Sequence, residues 1–113
     1  MSLGMVKLTD VLNRILSMVD KENIRKILKE NKPDLVRRYH LASIGIFGSF
    51  SRDDFREGSD IDILIDYNQP IGVEFIDLAE ELEQILHCKV DLVSKNGLKP
   101  KYFEEIRKDL VYV

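Results

Sequence analysis

A single cysteine, no long apolar run and no surplus of positive charge set the first limits on this chain. Cys88 stands alone among 113 residues, which excludes an intramolecular disulfide and any zinc site built on cysteines, and fits a reducing cytoplasm. Its place at the end of an apolar helical pattern reads as a structural thiol rather than a nucleophile. No apolar stretch approaches the roughly 18 residues that cross a bilayer, and no secretory signal precedes the first helical pattern. The expectation is a cytoplasmic protein with no membrane partner. The 20 acidic residues outnumber the 17 basic ones for a formal charge of -3, so no overall basic field draws the protein to nucleic acid.

What is present is ordinary for a globular protein, with 44% hydrophobic and 33% charged residues. The length suits one domain over 1–113 with one modest core. Residues 1–4, ahead of a second methionine at Met5, read as a vector-derived leader. Leu8, Val11, Leu12, Ile15, Leu16 and Val19 recur at helical spacing over 7–19. Ile24, Ile27 and Leu28 carry the pattern to about residue 31 with Asp20 as N-cap, and Pro33 suits the start of a third short helix to about residue 40. Helices over 5–41 are thus expected before a core over 42–113.

The register then changes. Ile44, Gly45, Ile46 and Phe47 form a short apolar run that stops at Gly48-Ser49, a buried strand entering a turn. Residues 49–54 suit one helical turn and 56–59 a loop. Over 60–66, Ile61, Ile63 and Ile65 alternate with Asp60, Asp62 and Leu64, so the strand has one wholly apolar face. A helix over about 72–87, a strand over 89–93, a helix from Pro100 to about residue 108 and an edge strand over 110–113 complete an α/β pattern.

Two aspartates on a strand facing one way lie about 6.6 Å apart along it. Asp60 and Asp62 therefore present paired carboxylates on one face while the isoleucines anchor the other. Crowded hard oxygen ligands favour magnesium or manganese over zinc, and without a cation their repulsion raises one pKa. Asp91, between Val90 and Leu92, has the same setting. If its strand neighbours that of Asp62, all three carboxylates converge as a two-metal site requires. At Gly48-Ser49 the turn's amides and the Ser49 hydroxyl attract an anion, and Arg52 returns to the same side with a cationic fork.

The ordered set Gly48-Ser49-x-x-Arg52, Gly58-Ser59-Asp60-x-Asp62 and then Asp91 in a later strand resembles the polymerase-beta-like nucleotidyltransferase superfamily, specifically its minimal nucleotidyltransferases encoded beside HEPN-domain partners. The resemblance covers about residues 42–113. It implies a palm-like mixed sheet flanked by helices and transfer of a nucleoside monophosphate from a nucleoside triphosphate, ATP, to a hydroxyl. By position, Gly48, Ser49, Arg52 and Ser59 would bind the nucleotide. Asp60, Asp62 and Asp91 would hold Mg2+ or Mn2+, with Asp91 helping to activate the attacking hydroxyl. The implied acceptor is a tyrosine of a HEPN toxin and the implied role that of an antitoxin. This chain has Asp53 where many family members have glycine after the motif arginine.

Plainer readings compete at each position. The aspartates could be a solvated strand face, Gly48 and Ser49 turn and cap residues, and Arg52 a surface partner of Asp53, Asp54 or Glu57. Lys29, Lys32, Arg37 and Arg38 read as a solvated helix face, and the helix over 7–19 as a surface for a partner or a second copy. A non-catalytic antitoxin module with a vestigial nucleotide site, and a small-molecule nucleotidyltransferase, are the alternative functions.

Overall fold

A computed structural model describes residues 21–52 and 60–113. The helix expected over 7–19 and the Asp20 cap lie outside the described residues. The elements in order are α1 (Lys21–Tyr39), β1 (Leu41–Phe47), β2 (Ile61–Tyr67), α2 (Glu74–Leu86), β3 (Val90–Ser94), a 3-10 turn (Lys95–Gly97), α3 (Pro100–Ile106) and β4 (Val111–Tyr112). No described helix is long and apolar enough to cross a membrane.

The first difference from the sequence reading is at Pro33, which lies inside one continuous helix rather than starting a new one. Ile24, Leu28, Leu35 and Tyr39 are all buried, and their spacings of four, seven and four residues place them on one face. That face spans the proline on both sides. Burial of the common stripe therefore outweighs the hydrogen bond that proline cannot donate.

The four strands order as β3-β2-β1-β4. β1 runs antiparallel to both β2 and β4, while β2 and β3 are parallel. A parallel pair needs a crossover, and α2 supplies it. Leu78, Leu82 and Leu86 are its buried stripe, and its end at His87 adopts the left-handed backbone, φ 55°, that closes a helix. In β2 the apolar face is buried as expected, with Ile61, Ile63 and Ile65 in the core beside α1 and α2; Leu64, on the opposite face, is buried as well.

α1 and α2 are also joined at the surface. Arg38 donates to Glu81 with both terminal guanidinium nitrogens and to Asp34 with Nε, and the Tyr39 hydroxyl donates to Glu81 at 3.0 Å. Arg37 and Arg38 thus serve an exposed ion-pair network, the solvated face that their pattern predicts. The Arg38 guanidinium, bonded to its carboxylate, holds Glu81 below the usual range. The mixed α/β sheet leaves its other features near one end: the turn after β1 and the start of β2.

Candidate active site

The site grows from the last pair of the β1–β2 ladder, Phe47 opposite Asp62. Beyond it the chain must reverse at once, and Gly48 does so at φ 75°, a backbone that side chains other than glycine's strain to adopt. A second constraint acts at the same atom. A Cβ on Gly48 would fall 2.1 Å from Asp62 Oδ2, so only glycine lets the turn lie against that carboxylate.

Arg52 N–H donates to the Gly48 carbonyl at 3.1 Å, closing one α-type turn. Phe50, 2% exposed, drives into the core from its middle and pins the turn to the sheet. Ser49 is left half-buried and Arg52 exposed at the mouth. The expected helical turn therefore exists as far as it is described. Ser59 lies outside the described residues, as do Asp53, Asp54 and Glu57.

The adjacency left conditional in the sequence is present. Asp62 and Asp91 are direct register partners in the parallel β2–β3 ladder, where neighbouring strands lie about 4.8 Å apart and paired side chains share a face. Asp60, exposed, precedes β2 by one residue. Burial, followed by the charges of Asp91 and Asp60, pushes the Asp62 carboxyl up to about 6; the Arg52 guanidinium pulls the other way. Two like charges beside the half-buried Asp62 carboxylate make a donor set with a deficit of positive charge. Among the described residues no three such side chains are already closed around a space for an ion. All-oxygen, multiply anionic ligands nevertheless fit a hard divalent cation, whose binding would remove this repulsion.

A cleft of about 470 Å³ opens here, with Gly48, Ser49, Arg52 and Asp62 on one side and Lys108 and Asp109 on the other. The far wall is the end of α3, with Glu105 and Ile106, and the turn after it. The final helix could be placed near a nucleotide from the sequence, but nothing in its spacing required it, and the pairing of β4 with β1 brings this wall across. Arg52 Nη1 donates to Asp109 Oδ2 at 2.8 Å, so a carboxylate partner comes from the far end of the chain. A second cleft, about 390 Å³, runs along α1 and β4 by Arg25, Lys26 and Tyr112. It holds none of the three carboxylates, whereas the first is lined by one of them, Asp62.

Cys88 is half-buried, and burial, with the charges of Glu83 and Asp60, pushes its thiol up to about 11. A thiol so far from ionising at neutral pH is a poor nucleophile.

Residues 21–113 match the family described as nucleotidyltransferase domain, a span that takes in α1 as well as the expected core. Protein adenylyltransferase MntA of Thermococcus cleftensis is 39% identical over 99 residues, which cover 87% of this chain and 100% of that protein. A solved structure provisionally named a minimal nucleotidyltransferase superposes with a TM-score of 0.72 at 29% identity, covering 83% of this chain and 96% of its own. The crystal structure of a toxin-antitoxin with AMP-PNP gives a TM-score of 0.62 at 26% identity, covering 82% and 71% respectively.

Proposed function

This chain belongs to the nucleotidyltransferase domain family, and from that premise we propose that it transfers AMP from ATP to a hydroxyl on a HEPN-type partner protein, acting as an antitoxin. The observation that carries the reading is the in-register pair Asp62 and Asp91 with the Gly48 backbone seated against Asp62. The name of the Thermococcus cleftensis relative and the toxin-antitoxin with AMP-PNP support the nucleotide, the transfer and a toxin as the partner.

Asp60, Asp62 and Asp91 would hold Mg2+ or Mn2+; when bound, the cation supplies charge neutralisation for the phosphates. Ser49, with the backbone of the Gly48 turn, would hold the triphosphate tail, and Ser59 would join it by motif. Arg52 adds a guanidinium, whose planar fork matches phosphate oxygens. With the tail held, the acceptor hydroxyl oxygen attacks the α-phosphorus in line and a new P–O bond forms. The bond from the α-phosphorus to the bridging oxygen breaks, pyrophosphate leaves, and the hydroxyl proton passes to the Asp91 carboxylate. Most of the rate then comes from positioning and electrostatics rather than covalent work by the chain.

The test is to incubate the protein with Mg2+-ATP and a purified HEPN-type partner and read the partner's intact mass. The expected result is a gain of whole adenylyl groups by wild type and at least a hundredfold slower gain with Asp62→Asn. Transfer at an undiminished rate by the variant would refute the role given to Asp62. An unmodified partner that is still neutralised would favour simple occlusion.

A further inference from the structure

We infer that Asp109, in the turn between α3 and β4, is a positioning residue for the nucleotide: it holds the Arg52 guanidinium at the cleft, so that the C-terminal wall sets ATP affinity. The inference rests on the reading of Arg52 as a phosphate contact and deepens it.

Arg52 has a long side chain, 49% exposed, and such a side chain loses much rotamer freedom when it grips a phosphate. Restricting it beforehand reduces that loss. One such restraint is Asp109, whose carboxylate accepts from Arg52 Nη1 at 2.8 Å and is itself only 25% exposed. Both residues border the same cleft.

Asp109 is fixed from several sides. Its carbonyl accepts a hydrogen bond from Ser51 Oγ, next to Arg52 in the turn. Its N–H donates to the Ile106 carbonyl at 3.2 Å. The following Leu110 seats over Gly45, where a Cβ would meet its Cδ1 at 2.6 Å, and Val111 then pairs with Ile46 of β1. Arg52 and Asp109 are thus both referenced to β1, one through the turn that leaves it and the other through the strand that pairs with it. A carboxylate at the mouth of an anion site would otherwise repel a triphosphate. Its ion pair with Arg52 gives it the opposite role, as an anchor for the cation.

The test measures binding of ATP in the presence of Mg2+ by titration calorimetry, with the full chain carrying Asp109→Ala, Asp109→Glu, Arg52→Ala and Asp109→Ala/Arg52→Ala. Thermal midpoints are recorded in parallel. The expected result is a loss of affinity of about tenfold for Asp109→Ala, in line with the loss of one charge-assisted hydrogen bond. Asp109→Glu should recover to within about threefold of wild type, and Asp109→Ala should cost nothing further once Arg52 is gone, because the two act as a unit. A merely structural role would lower the midpoint without this non-additivity. If Arg52→Ala weakens binding while Asp109→Ala leaves it unchanged or tightens it, or if the two losses add, the inference about Asp109 is overturned and the nucleotide reading stands. If Arg52→Ala leaves binding unchanged, the role given to Arg52 fails and takes the inference with it. An absence of ATP binding by wild type would overturn both.

Discussion

Asp62 is held at a cost to the fold that is visible in its ionisation. Its carboxyl is raised from the ordinary 3.8 to about 6, first by burial and then by Asp91 and Asp60. The linkage has a definite sign. Well below pH 3.8 the group is neutral whether the chain is folded or not, and nothing is lost; as the pH rises to about 6 the unfolded chain ionises first and the folded state loses stability. Near neutral pH, in a chelator, Asp62→Asn should therefore be more stable than wild type, by on the order of 1 kcal/mol once solvent screening of this partly exposed group is allowed for. Thermal melts at the two pH values check this: the variant should lead at neutral pH and the difference should vanish under acid conditions. Equal melting at both would mean that neither burial nor repulsion raises the Asp62 carboxyl. Much of this was legible at the residue scale, because aspartates placed against an apolar strand, and a Gly-Ser turn ahead of them, are costly choices without a ligand. Asp109 was not legible, since nothing local separates it from any other acid in a surface turn, and a partner of Arg52 that lies 57 positions away leaves no trace in spacing.

At the scale of elements the informative case is α1. Proline is a strong boundary signal in sequence, yet Leu28 and Leu35, both fully buried, lie on the two sides of Pro33 and share one stripe. Tertiary burial settled what local propensity could not, as it commonly does. The proline is itself exposed, so its ring fills no core space while it withholds an N–H from the helix ladder. Pro33→Ala should restore that donor and remove the ring's clash with the preceding turn. The net gain should be about 1–2 kcal/mol, less than the full penalty of an interior proline because alanine also frees the unfolded chain. Chemical denaturation measures it; a loss of stability would show that α1 is bent or held in a way that needs the proline. α2 and β2 were read nearly to their observed bounds because their apolar stripes have one clean period each and flanking turn residues.

For the whole molecule, the decisive fact is the strand order. The sequence offers three carboxylates on two segments separated by a helix, and the helix length alone permits a parallel crossover without naming the neighbour. The pairing of β2 with β3 aligns Asp62 with Asp91, and the pairing of β1 with both β2 and β4 brings the Gly48 turn and the Asp109 turn to the same cleft. Strand pairing is a long-range property, decided by which faces can be buried together, so it becomes visible only in the folded sheet. The central proposal is that the Asp60 and Asp62 carboxylates are the cation half of a nucleotide site. Calorimetric titration of ATP into wild type and into Asp60→Asn/Asp62→Asn, each with and without Mg2+, tests it most directly. The account predicts cation-dependent binding by wild type that the double variant loses while remaining folded. Binding that is indifferent to Mg2+, or that the double variant keeps, would contradict it.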